Sequence, residues 1–200
     1  MNPPLHPDLL GLLASCRAAP ADDTPRLVLA DFLDEHADAA GLPSAADARA
    51  RAELIRVQVE LARPTLDAGH AAGLRAREGR LLAAHAAGWL GVLPRRLHEL
   101  AHPPFGFGRA GGGVVSPPRP FEFNPLGGVG WRFARGLLTV GLRPTDLGDP
   151  ELGAWFASPR AVWTEEAAVE LSGPGALERL KVPDALRPYL GREVRPATLG

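Results

Sequence analysis

The residues best able to do chemistry in this 200-residue chain stand together as His98-Glu99-Leu100-Ala101-His102, an H-E-x-x-H run. On a helix, two histidines four apart share a face and can bind Zn²⁺, while the intervening glutamate activates a bound water. The chemistry would be that of a zinc-dependent hydrolase, with His98 and His102 as metal ligands and Glu99 as general base. Three neighbouring features oppose it. Pro103-Pro104 end the helix at once. Arg96 places a charge two residues before the first histidine, and the possible third ligands, Glu122 and Glu151, lack a recognisable helix context. The plainer reading is an exposed helix end, where histidine is favoured by the C-terminal dipole.

Asp31, Asp34, Glu35 and Asp38 form a second candidate. At about 100° per residue they share one narrow strip of a helix and could present oxygens to a divalent cation. Asp31 lies between apolar neighbours, so the strip is better explained by pairing, with Arg26 or Arg56 as the partner. Cys16 lacks the local signature of a nucleophile paired with histidine and is expected to be a packing residue. A third candidate is nucleic-acid binding. Arg75, Arg77, Arg80, Arg95 and Arg96 cluster in sequence, and Arg132 and Arg135 alternate with Trp131 and Phe133, a pattern suited to base stacking. The same alternation is what a half-buried hairpin shows.

The elements that must position these groups can be traced along the chain. Pro7 starts a first helix that runs to about Ala18, with Leu9, Leu13 and Cys16 on one face. Thr24-Pro25 predicts an N-cap followed by proline in the first turn of a second helix, about 25–37. That helix is apolar around most of its girth, which predicts a central position in the bundle. Ser44 to Asp47 matches a capping box and opens a third helix to about Ala62. Its row Arg49, Glu53, Arg56, Glu60, Arg63 predicts a solvent-facing side. A looser fourth helix spans about 66–87, and Trp89-Leu90 is expected to pack back on the bundle. Residues 103–120 are rich in glycine and proline and read as a loop or linker. Trp131–Arg135, broken from Leu137–Leu142 by Gly136, predicts a hairpin. Helical character at 152–157, a strand at 168–171 and a helix at 176–180 follow. Strand cores about thirty residues apart point to two degenerate solenoid units.

Composition narrows the class. A single cysteine forms no internal disulfide and fits a reducing compartment, and no stretch approaches ~20 consecutive apolar residues. A cytoplasmic protein is expected. Residues 1–48 carry two basic and eight acidic groups, a net −6, whereas residues 49–120 carry eleven and five, a net +6. An acidic head and a basic middle predict pairing within the chain before binding to nucleic acid.

The run Asp22-Asp23-Thr24-Pro25-Arg26-Leu27-Val28-Leu29-Ala30-Asp31-Phe32-Leu33-Asp34-Glu35, followed by Arg51-Ala52-Glu53-Leu54-Ile55-Arg56-Val57-Gln58, resembles the repeat-companion domain family. Its members read DDTPRLVYADWLEE and then RAEFIRLQ. The likeness is specific over residues 7–61 and looser over Trp89-Leu90 and the Trp131–Leu142 hairpin. Leu29 and Phe32 stand where members carry Tyr and Trp, the loop between helices two and three is longer, and no extended repeat array follows. The resemblance implies a scaffold-like module associated with leucine-rich or similar repeats, with no established activity.

The sequence therefore predicts an α+β, mainly α, protein. It has a helical bundle over residues 1–102, a linker over 103–120, and a β-hairpin with a small α/β, degenerate leucine-rich-repeat-like unit over 121–200. The expected function is non-catalytic protein–protein interaction, as an adaptor or scaffold subunit of a larger assembly and without a cofactor. The partner-binding residues would be Trp131, Arg132, Phe133 and Arg135, and the structural ones Thr24, Pro25, Arg26, Asp31 and Arg56. The alternatives are the zinc hydrolase of His98, Glu99 and His102, and an RNA- or DNA-binding accessory subunit using the hairpin.

Overall fold

The computed structural model describes residues 4–101, 129–169 and 182–190, which are mainly helical with one small sheet. Six helices and three strands follow in the order α1 Pro7–Ala18, α2 Thr24–Glu35, α3 Ala45–Leu61, α4 Ala68–Leu90, α5 Leu93–Ala101, β1 Gly130–Ala134, β2 Leu137–Leu142, α6 Pro150–Phe156 and β3 Thr164–Val169. No described helix is long and apolar enough to cross a membrane. The chain divides into two compact units. One is Met1–Leu90 together with five residues from far along the chain, Phe133–Leu137; the other is Gly91–Arg132 with Leu138–Gly200.

In the helical unit each start has a local cause. His6 Nδ1 accepts the Asp8 N–H at 3.2 Å and caps α1, with Pro7 in the first turn. Ser44 Oγ accepts the Asp47 N–H at 3.1 Å and caps α3. For α2 the expected Thr24 cap is replaced. The Asp22 carboxylate reaches two residues on and accepts the Thr24 N–H at 2.8 Å, so Thr24 already lies inside the helix. Arg26, 1% exposed, donates through Nη1 to the carbonyls of Asp22 at 2.9 Å and Ala19 at 3.4 Å, closing the α1–α2 loop.

Leu9, Leu13 and Cys16 of α1 pack with Leu29, Ala30 and Leu33 of α2 and Leu54 and Ile55 of α3 as the core. α2 lies against both α1 and α3, as its apolar girth predicted for a central helix, but that girth is not enclosed all round. Leu27 and Val28 of α2 are exposed, whereas α3 lies against both α2 and α4 and buries nine of its residues. Between α2 and α4, α3 encloses even its polar Arg51 and Gln58. Its charged row accordingly pairs with other helices instead of facing only solvent. Glu53 binds Arg77 at 2.5 Å, Glu60 binds His70 at 2.8 Å, and Arg56 reaches back to α2.

The sheet has the order β1-β2-β3, and β2 and β3 are parallel, with Val140 opposite Ala167 and Leu142 opposite Val169. Every residue of β2 is buried, as suits a central strand. A 3₁₀ turn, α6 and a second 3₁₀ turn connect β2 to β3, and Ala167 also bridges in parallel to Leu190. β3 begins earlier than the strand predicted at 168–171. The 3₁₀ turn Pro159–Trp163 delivers the chain into extended backbone at Thr164, where Thr-Glu-Glu carries no apolar alternation. Leu152, Trp155 and Phe156 of α6 pack in the core of this unit, with Leu147 and Trp163 of the flanking turns. The linker at 103–120 and the helix predicted at 176–180 lie outside the described residues.

Core and surface should respond differently to truncation. Leu33→Ala is expected to cost 2–5 kcal/mol by leaving a cavity, and Asp31→Ala less than about 1 kcal/mol because its ion pair is exposed. Urea unfolding of both variants measures the contrast.

Candidate functional site

The H-E-x-x-H residues fall at the end of α5, which stops at Ala101; His102 and Glu122 lie outside the described residues. Both Glu99 oxygens are engaged. Oε1 accepts from Arg95 Nη1 at 2.6 Å and Oε2 from Arg96 Nη1 at 2.9 Å. Arg95 also donates to Glu151 at 2.8 Å, and Arg96 forms an ion pair with Asp149, whose other oxygen caps α6 by accepting the Leu152 N–H at 2.9 Å. The hydrogen bonds from Arg96 and then Arg95 hold the Glu99 carboxyl below its ordinary range. A general base for water works best with a pKa raised toward neutrality and a free lone pair. Here the environment acts in the opposite sense, and Arg96, the charge that looked out of place in the motif, is the cause. Glu151, a possible third ligand, is held by Arg95. Among the described residues no group of three or more His, Cys, Asp or Glu is placed to hold a metal ion.

The acidic strip is resolved by Arg56. Its Nη2 meets Asp31 at 2.7 Å and its Nη1 meets Asp34 at 2.5 Å. Of the two predicted partners for Asp31, Arg56 is the one used. Asp31 is nevertheless not buried; its side chain is 66% exposed because the strip faces outward from α2. The two hydrogen bonds raise the Arg56 pKa above its ordinary value, Asp31 contributing most. Cys16 is fully buried.

The hairpin residues divide by role. Trp131 is half-buried and Arg132 exposed on β1. Phe133 is buried, its ring edge-on to Trp89 at 5.8 Å. Arg135 donates to the Pro20 carbonyl at 3.2 Å and lies 3.5 Å from the Asp23 carboxylate. Phe133 and Arg135 thus build the helical unit. The turn between β1 and β2 is Arg135-Gly136, with φ of 48° and 84°. Positive φ at both central residues defines the tight turn that matches strand twist. Only glycine fits the second position, because a Cβ on Gly136 would occupy the space of the Ile55 side chain.

Gln58 of α3 receives this turn. Gly136 N–H donates to Gln58 Oε1 at 2.7 Å, and Gln58 Nε2 donates to the Phe133 carbonyl at 3.1 Å and to Glu78 at 2.5 Å. Close by, the Arg51 guanidinium sits 4.6 Å over the Trp89 ring. His85 stacks on the same indole at 5.4 Å and bonds Asp47 at 3.2 Å. Burial pulls the Arg51 pKa down to about 9, with the Asp47 charge pulling the other way. The aromatic face supports a cation held out of water. Motif reasoning assigns no role to Arg51 or Gln58. The signal available was their phase: with Ile55 they fall at i, i+4 and i+7 on a helix face, and a polar residue in such a row needs a partner.

The basic cluster read from the sequence is divided. Arg75, Arg77 and Arg80 are exposed on α4 in the helical unit, while Arg95 and Arg96 belong to the second unit and are matched there by Glu99, Asp149 and Glu151. No family model, curated protein or solved structure matches this chain.

Two predictions follow from these geometries. Gln58→Ala should destabilise the fold by about 2–6 kcal/mol, since it removes the partner of the Gly136 N–H and of the Phe133 carbonyl at about 1–3 kcal/mol each. Faster amide exchange at Gly136 than at Leu54 would accompany the loss. The second concerns acid. The Asp149 carboxyl is held low, chiefly by its hydrogen bond from Arg96. Its ionised form therefore stabilises the fold above the unfolded pKa of about 3.9, and that stabilisation is lost as pH falls through the lower folded value. Helical signal followed from pH 5 to pH 2 should fall at higher pH in Arg96→Ala than in the parent chain.

Proposed function

We propose that this chain is a non-catalytic protein–protein interaction subunit, an adaptor or scaffold within a larger assembly, and that residues 7–61 form a repeat-companion-like module. The observation carrying this reading is that the side chains with catalytic potential are engaged in internal pairs: Glu99 and Glu151 with arginines, Asp31 and Asp34 with Arg56. The parallel β2–α6–β3 arrangement, with Val140 opposite Ala167 twenty-seven residues on, supports a degenerate leucine-rich-repeat-like character for the second unit. The surface expected to meet the partner is β1, through Trp131 and Arg132. Arg132 is exposed and Trp131 half-buried on opposite faces of the strand, and both residue types are enriched at protein interfaces.

The reading is tested by affinity capture of the full chain from its native cells, followed by reconstitution with the identified partner on size exclusion. Trp131→Ala with Arg132→Ala should weaken the reconstituted complex at least tenfold while leaving the helical signal unchanged. Failure to find any stable protein partner overturns the proposal. Association that disappears on nuclease treatment, with steep salt dependence, would replace it with nucleic-acid binding.

A further inference from the structure

The helical unit is completed by five residues that arrive after an intervening stretch of 42, residues 91–132. The contacts that seat them gather at one turn. The Gly136 amide and the Phe133 carbonyl meet Gln58, the bare Cα of Gly136 rests on Ile55, the Phe133 ring meets Trp89, and Arg135 spans to Pro20 and Asp23. This is the anatomy of a receptor and its ligand. The receptor offers a paired donor and acceptor, an aromatic wall, and an anion beside a carbonyl. The ligand is a Phe-Ala-Arg-Gly turn whose recognition elements lie within four residues.

We propose that this socket is a turn-recognition site that also accepts the hairpin tip of a second copy of the chain, so that two chains can join by reciprocal exchange of Phe133–Leu137. The second copy is the occupant because its tip offers the same atoms in the same turn, so exchange loses no contact within the socket. Exchange of an identical element is a low-cost route to a two-fold dimer. The chain's own tip competes at an effective concentration on the order of millimolar. The parent protein is therefore monomeric at micromolar concentration, and exchange appears when the resident tip is disabled. This inference is independent of partner binding through Trp131 and Arg132, which lie outside the five residues.

The test is complementation between two full-length variants. Gly136→Val cannot seat its own tip but keeps an intact socket; Gln58→Ala has a defective socket but an intact tip. Each alone should be monomeric by sedimentation at 10-fold the concentration at which their mixture forms a one-to-one complex, and Arg135→Ala added to the Gln58→Ala chain should abolish that complex. A mixture that stays monomeric while both variants are folded overturns the proposal. Should Gly136→Val fail to fold alone, mixing is expected to restore its helical signal, because its intact socket then receives the intact tip of the Gln58→Ala chain, and absence of restoration overturns the proposal equally. A cyclised peptide of residues 129–142 should compete with the complex, and the same peptide carrying Gly136→Val should not.

Discussion

One side-chain amide organises the helical unit. A turn pressed against a helix buries a backbone N–H and a backbone carbonyl that the helix, with its own groups already bonded, cannot satisfy. Gln58 presents an acceptor and two donors on one rigid plane. It takes the Gly136 N–H, returns a proton to the Phe133 carbonyl and has one donor left for Glu78. The rest of the tip is constrained by that choice. Bringing the turn within hydrogen-bonding range of Gln58 sets Gly136 on Ile55, where no side chain fits, and carries Phe133 to Trp89. Arg135 adopts a left-handed backbone that costs a non-glycine residue energy. Its guanidinium contacts to the Pro20 carbonyl and the Asp23 carboxylate offset that cost, which explains an arginine where asparagine or glycine would be the commoner turn residue.

The charge asymmetry of the sequence is resolved within the fold along the same lines. Several carboxylates of the acidic head meet the protein's own donors. Asp22 holds the Thr24 amide, Asp23 faces Arg135, Asp31 and Asp34 share Arg56, and Asp47 meets His85. Most of these pairs are partly exposed and individually worth little. Their value lies in register, since each joins elements distant in sequence and a shifted helix would leave several carboxylates facing one another. Arg51 differs in kind. It is buried, its pKa is drawn down to about 9, and the indole face of Trp89 stands in for part of the lost hydration.

Much of this was legible in the sequence wherever the cause is local. Pro7, the Ser44 cap and the break at Gly136 mark α1, α3 and the hairpin because capping and turn chemistry act within a few residues. The errors arise where a neighbour decides. The apolar girth of α2 suggested a central helix, and α2 does lie between α1 and α3, yet Leu27 and Val28 are exposed, because composition does not say which side of a helix its neighbours cover. Asp31 found the expected arginine but not the expected burial for the same reason. β3 was displaced because Thr164–Glu166 have no apolar alternation and take strand form only against β2. Gln58 and Arg51 fall in phase with apolar residues of α3, and only their partners, 20 to 78 residues away, reveal their purpose.

In the H-E-x-x-H segment the spacing of residue types and the surroundings of Glu99 point in different directions. Spacing places Glu99 on a helix beside His98, but reactivity depends on which charge state the surroundings favour. A catalytic glutamate needs an apolar or anionic setting that raises its pKa toward neutrality. Arg95 and Arg96 instead stabilise the carboxylate and occupy both oxygens, and Arg96 in turn ties the α5 end to Asp149 at the start of α6. The bonds to Glu99 run within α5, while the same two arginines reach Glu151 and Asp149 of the α6 segment, so one pair of guanidinium groups serves both. Chemistry and architecture would draw on one carboxylate, and among the described residues both of its oxygens are taken by arginines.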